Sequence, residues 1–408
     1  MGGKASLFVV AGFSLLFLVI SNNFGTVSNR SVDNYSNYFD GTTAHNLAIS
    51  GANIAANNIY LDPTWDDGYD NLSFQGGTIN VEVNIIDAYQ NIRQIVSAAY
   101  YRGEDDTVRV TLAPSKFSKF AYYSVNEGSS IWWTDNDTVW GPFHTQDYMR
   151  AYRHPVFYGK ATTKKKILYY TSQSKDKPYF YGGFEQGVDL PLPTDGVDNI
   201  EPSADANGLK FTGEDTVYIT FDYDTLKYRF SYSDNDTSVY LPTVAPNGVI
   251  FAKNSIVRLK GVVQGQYSIV SSGSQYSGKG NIYIDDDIVF SSDPRIHPSS
   301  TDLLGIVAQN NVIITDNEAN HHDINIDGCV YCENGGFGAE HYDTRPVSGN
   351  INLFGGIVQD TRKAVGTFNS WGPASGFSKR YKYDNRLMVA SPPMFPGTGS
   401  FEIVSWQE

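Results

Sequence analysis

Residues Ala5 to Ile20 read ASLFVVAGFSLLFLVI, a run without a single charge, with Lys4 before it and Ser21-Asn22-Asn23 after it. A bilayer span needs about 20 apolar residues, and the apolar region of a signal peptide is shorter. Signal peptidase needs small residues at an A-x-A-like spacing, and SNNFGTVSNRS offers only poor candidates. The segment is therefore read as retained. A helix that is apolar all round must sit in a bilayer or against copies of itself. Leu7, Phe8, Val9, Val10, Phe13, Leu15, Leu16, Phe17, Leu18, Val19 and Ile20 are the residues expected to form that anchor or filament core. The remainder of the chain is then exported.

Downstream, no proline occurs from Ser28 to Tyr60, and small and apolar residues recur at helical spacing. Ala44, Leu47, Ala48, Gly51, Ile54 and Ala55, followed by Ile59, fall on one stripe. Leu61-Asp62-Pro63 stops the helix. The pattern predicts an apolar helix, broken near Gly25, leading into an amphipathic one whose small residues allow close approach.

A short basic start, one apolar helix, a small-residue extension and a β-rich body resemble the plan of type IV pilins and pseudopilins. The run Ala44 to Asn53 is similar to the segment after the anchor in larger, minor-pilin-like proteins. The resemblance departs from the usual pattern at two points. Gly3 is the nearest candidate for the cleavage-site glycine, but it precedes Lys4. No acid occurs before Asp33, so the usual early glutamate has no counterpart. A second resemblance, to bacterial envelope proteins with pilin-like N termini, runs through Gly141-Pro142-Phe143-His144-Thr145, Ser292-Asp293-Pro294-Arg295, Leu304-Gly305-Ile306-Val307-Ala308 and Gly355-Gly356-Ile357-Val358-Gln359. It implies location and architecture, not an activity.

Composition supports a β-rich body. The chain has 408 residues with 44 acidic and 30 basic side chains, a net charge of −14, which argues against a nucleic-acid partner. Charged residues make up only 18% and aromatic residues 14%, with 38 Gly, the profile of strands and turns and not of disorder. Thr78 to Val83 and Arg109 to Ala113 alternate as half-buried strands do. From Pro246 onward, short apolar runs such as Val249-Ile250-Phe251, Tyr267-Ser268-Ile269-Val270 and Val312-Ile313-Ile314 are separated by Gly, Asn or Asp. Such runs fit the coils of a right-handed parallel β-helix, with a β-sandwich as the alternative. Gly182 to Gly208 reads as a long loop, and Phe401 to Trp406 as a strand that caps the solenoid, with loan to a neighbour's edge as the alternative.

Candidate chemistry is sparse. Cys329 and Cys332 form a C-x-x-C in a strand context, where residues three apart face opposite ways, so free core or surface cysteines are expected over a disulfide or metal site. Asp285-Asp286-Asp287 is a weak calcium candidate, and His321-His322-Asp323 with Asp316 and Glu318 is read as a solvated loop. Asp285, Asp287, Asp302 and Asp327 are the acids a solenoid polysaccharide lyase or hydrolase would use. Trp132, Trp133, Trp140, Tyr148, Tyr152 and Tyr158 are the aromatics that a sugar-binding patch, or equally a β-core, would use. Asn29, Asn34, Asn71, Asn136 and Asn235 stand in glycosylation sequons.

The expected chain is mainly β with one long N-terminal α-helix. Its three parts are a helix over 1–62, a pilin-like β-sheet head over 63–240 and a solenoid-like domain over 241–408. The expected role is that of a structural subunit, without enzymatic activity or cofactor, in an extracellular type IV pilus-like filament. Its partners would be copies of itself in a helical homopolymer, the inner membrane before assembly and the pilus assembly machinery. The alternative is a membrane-anchored or secreted carbohydrate-binding or carbohydrate-active β-helix protein.

Overall fold

In the computed structural model, which describes residues 2–87, 91–135, 137–369 and 372–408, the chain is mainly β with one long N-terminal helix. It divides into two compact units, Met1–Pro114 with Ser400–Glu408, and Ser115–Gly399. The expected boundary at 240/241 is replaced by one at 114/115. One member of the sequons, Asn136, lies outside the described residues.

In the first unit, α1 (Gly2–Leu61) is a single continuous helix. The break expected near Gly25 is absent. Within the polar stretch that suggested it, hydroxyls bond back to the preceding turn of the continuous helix. Thr26 Oγ1 donates to the Asn22 carbonyl at 2.9 Å, and Ser31 Oγ to that of Val27 at 2.9 Å. At about 1.5 Å per residue the helix is roughly 90 Å long. The expected stripe is where α1 packs. Ala44, Leu47, Ala48, Gly51 and Ala55 are buried and Ile54 is half-buried, joined by Ala52 and Ile59.

The stripe covers an antiparallel sheet of β1 (Tyr69–Phe74), β2 (Gly77–Asp87), β3 (Ile92–Tyr101) and β4 (Glu104–Lys116). Strand alternation directs Ile79, Val81, Ile95, Ala99, Val108 and Val110 at the helix. Gly51 sits where a Cβ would collide with Ser97 Oγ and Ile79 Cγ2, so a hydrogen is all that fits. The fifth strand, Gly397–Gln407, lies on the free side of β4. The C-terminal strand therefore extends the N-terminal sheet instead of capping the solenoid. Its apolar side chains Phe401 and Trp406 pack on that unit's core, which is what the capping reading missed.

The second unit is built of parallel strands stacked one on another. A ladder runs from Leu209–Thr212 through Val249–Lys253, Gln266–Ser271, Leu303–Ala308, Ile324–Cys332 and Val347–Thr361. It continues into residues from much earlier in the chain, Tyr122–Asn126, Phe143–Thr145, Ala161–Thr163 and Phe184–Gln186. Parallel register, the arrangement expected of coils, distinguishes these ladders from the antiparallel strands of a sandwich. One inward column shows why the stack holds. Ile250, Ile269, Ile306, Val330, Ile357, Tyr122, Phe143 and Ala161 follow one another in register, and all are buried. The five residues from the later sequence are aliphatic, and those from the earlier include the aromatic Tyr122 and Phe143. Tyr122 and Phe143 lie nearly parallel, with centroids 5.2 Å apart.

The join between early and late coils carries a buried ion pair. Arg362 Nη1 donates to Glu127 Oε2 at 2.9 Å, with Glu127 fully buried. The same carboxylate accepts from Tyr122 at 2.6 Å, Ser124 at 2.5 Å and Trp133 Nε1 at 2.9 Å. All of its lone-pair directions are filled, which is the condition under which a buried charge is tolerated. The segment expected as a loop, Gly182 to Gly208, holds the strand Phe184–Gln186 and the short helix Glu201–Asn207. Between them it runs back along the stack. The Leu190 carbonyl accepts from Tyr123, and the Val197 amide donates to buried Glu333 at 2.9 Å.

Candidate functional site

The first 38 positions of α1 set this molecule apart. Every described residue from 3 to 39 is exposed, including Phe8 at 77%, Leu7 at 72% and Phe17 at 66%. Helix propensity cannot by itself hold an isolated apolar helix in water, and such a surface is a binding or membrane face. The helix is long and apolar enough to cross a bilayer. All the expected core residues, Leu7 through Ile20, lie on this free segment. Three of its hydroxyls, those of Ser6, Thr26 and Ser31, donate to backbone carbonyls of the preceding turn. For these three an apolar environment imposes no penalty for an unmet hydroxyl. Gly12 and Gly25 have no neighbouring atoms within 4 Å, leaving room at the helix surface.

The free segment is held by the packed half of the same helix. His45 Nδ1 lies 2.7 Å from Asp106 Oδ2, and its Nε2 lies 3.7 Å from Glu408 Oε2, joining α1 to β4 and to the C-terminal strand. Together with the stripe on β2 and β3, these contacts give the exposed half a fixed base.

The other sequence candidates fall elsewhere and serve the fold. Cys329 and Cys332 are free thiols with no access to solvent, and burial pushes the Cys332 thiol up to about 12 and that of Cys329 higher. They are core residues. The Asp285-Asp286-Asp287 carboxylates do not converge on a cation position. Asp285 is held in a two-pronged pair by Arg258 at 2.8 and 2.6 Å. Asp287 accepts from the Asn325 amide and side chain, both at 2.8 Å. They lie within one strand, Ile282–Phe290, instead of between two. Asp316 is the hub of the histidine cluster, with His321 Nε2 at 2.9 Å and His341 Nδ1 at 3.0 Å. The bond from His321 is the largest of the influences holding its carboxyl below the usual range.

The acids proposed for a lyase are spent on loops. Asp302 accepts from the Gly265 and Ser292 amides, and Asp327 from Phe290 with Arg295 beside it. Burial pushes the Asp327 carboxyl up to about 6. The six aromatics do not form a platform. Trp133 is buried against Tyr122, Phe143 and Phe157. Trp132 and Tyr152 both set their edges against Tyr170, and Tyr148 lies under Arg150 and Lys165. Trp140, Tyr158 and Tyr181 stack face to face down successive coils, at 6.2 and 5.2 Å, so their faces are turned to one another.

Comparison with known proteins finds likeness among solved structures only. No family model matches the chain, and no curated protein does. Among solved structures, the chain is similar to the competence-associated pilin ComZ from Thermus thermophilus, at 12% identity and a TM-score of 0.37, with 90% of this chain and 97% of that chain covered.

Proposed function

We propose that this chain is a structural subunit of an extracellular type IV pilus-like filament, assembled by packing of the exposed half of α1. One observation carries the reading: an uncharged apolar face stands clear of the protein on a helix whose other half is firmly packed. In the inner membrane that half spans the bilayer, and in a filament it is covered by the same segment of neighbouring copies. The apolar segment offers of order ~1,500 Å², or roughly 35 kcal/mol gross at ~25 cal/mol per Å² before the entropy of association is subtracted. Contacts of this kind between different faces of identical copies give an open helical homopolymer. The parallel coils of Ser115–Gly399, read as a β-helix, would form the cell-surface exterior. No catalytic step and no cofactor are assigned, and export would rely on the pilus assembly machinery.

The test is removal of residues 5–20. A soluble, folded and monomeric product supports the proposal. A truncated protein that still polymerises overturns the helix-driven mechanism.

A further inference from the structure

A groove of about 310 Å³ crosses the second unit where the strands Thr216–Tyr223, Ile256–Val263 and Ile282–Phe290 stack side by side. Its rim is raised on one side by the hairpin after Tyr223, which contributes Arg229, Tyr232 and Asp236. The turn at Asn317 to Ala319 closes the other side. Neither Arg229 nor Tyr232 was a candidate in the sequence, because the groove unites segments as distant as Tyr218 and Ala319.

Most charges around the groove are compensated. Arg258 is bound by Asp285, and Arg229 Nη1 by Asp236 at 3.2 Å. What remains is informative because it includes both kinds of group. On the donor side, Lys260 has no ion pair among the described residues, and the Arg229 Nε–H is buried without a hydrogen-bond partner. The Arg229 guanidinium lies over the Tyr218 and Tyr232 rings, 5.5 and 5.8 Å from their centres, so Lys260 is the donor open to a ligand. On the acceptor side, the Asp286 carboxylate receives only the Asp287 amide among the described residues, and Glu318 stands on an exposed turn. Tyr232, 67% exposed, and Tyr218 stand together at the rim with ring centroids 4.5 Å apart.

We propose that this groove binds a neutral oligosaccharide. A free anion would meet four carboxylates, those of Asp236, Asp285, Asp286 and Glu318, and a free cation would meet Arg229, Arg258 and Lys260. A ligand whose every hydroxyl both donates and accepts satisfies the two sets at once. The C–H face of a sugar ring suits the exposed Tyr232 ring beside them. The volume lies at the lower end of small-ligand pockets, about 300 to 1,000 Å³, which accommodates one or two sugar rings with the remainder of the chain outside. The site is independent of the filament reading, since it lies wholly within Ser115–Gly399.

The experiment uses the full chain in a detergent without a sugar head group. Saturation-transfer NMR and calorimetry are run against maltotriose, cellotriose, mannotriose, N,N′-diacetylchitobiose and N-acetyllactosamine, with inorganic phosphate as the anion probe. Tyr232→Ala and Lys260→Ala alter exposed side chains, and Tyr276→Ala changes an exposed ring elsewhere. At least one oligosaccharide is expected to bind saturably, about ten-fold or more weakly in each groove variant and unchanged in Tyr276→Ala. Binding by none of the five, binding of phosphate alone, or affinity that the groove variants leave unchanged overturns the proposal.

Discussion

Replacing Arg362 by Met tests how the early and late coils are joined. Arg362 is 6% exposed, donates to Glu127 at 2.9 Å and lies 4.1 Å from the centre of the Trp133 ring. Methionine fills much of the volume but leaves the Glu127 carboxylate buried, with three neutral donors and no ion-paired cation. Removing one partner of a buried pair costs about 3–5 kcal/mol, because the charge left behind is uncompensated. Exposed pairs, in contrast, contribute about 0–1 kcal/mol. For a unit of this size a change of 1 kcal/mol moves the melting temperature by about 2 °C, so the loss should be roughly 6–10 °C. Near-UV circular dichroism follows it directly, since Trp133, Tyr122 and Phe143 surround the pair. Adding Glu127→Gln to Arg362→Met removes the stranded charge and should restore most of the loss. A shift below about 2 °C for Arg362→Met alone, the size expected of an exposed pair, would refute the reasoning.

Three further outcomes follow from the packing. Burial pushes the Glu333 carboxyl up to about 7 from its ordinary 4.5, so the folded state holds a proton that the unfolded chain releases. Stability should therefore be greatest below about pH 4.5 as far as this group is concerned, and fall as pH rises towards 7. Glu333→Gln should flatten that fall in melting temperature between pH 5 and 8, and an unchanged slope would rule Glu333 out as its source. Both thiols should ignore a thiol-specific reagent in the native protein and react in denaturant, because neither is exposed. Rapid native labelling would contradict their burial. Gly51→Val should destabilise the first unit by about 1–3 kcal/mol through overpacking against Ser97 and Ile79, read as a lower urea midpoint. A neutral result would mean that α1 and β3 are not in such close contact.

The parts legible in the sequence are those whose signal is local. Ala44, Leu47, Ala48, Gly51 and Ala55 lie within a few turns of one another, so their spacing alone placed the packed stripe. Val249-Ile250-Phe251 and Val312-Ile313-Ile314 are short apolar runs whose partners are the neighbouring coils, and they read as a stack. Legibility failed where pairing partners are distant. Ile357 meets Tyr122 across more than 200 positions, and the early coils are spaced by Tyr, Trp and His instead of the aliphatic runs that mark the later ones. His144, for example, is wholly buried against Tyr123, and burial lowers its ring to about 4. Nothing in Phe401 to Trp406 specifies β4 as its neighbour. The break assigned near Gly25 is absent: Thr26 and Ser31 spend their hydroxyls on carbonyls inside the continuous helix and open no turn there.

Residues 5–20 of α1 were legible as apolar and uncharged, whereas the groove at Tyr232 and Lys260 was not. Its residues are individually ordinary and become a site only through stacking. The same contrast explains why the acids and aromatics picked out by type proved structural: Asp285, Asp302 and Trp133 each have their partners within the fold.

The most direct test of the central claim is negative-stain electron microscopy of material sheared from cells, combined with mass spectrometry of the N terminus of the recovered chain. The account predicts regular filaments that contain this chain with residues 5–20 retained. Recovery of the chain only from membranes, or cleaved near residue 21, would contradict it.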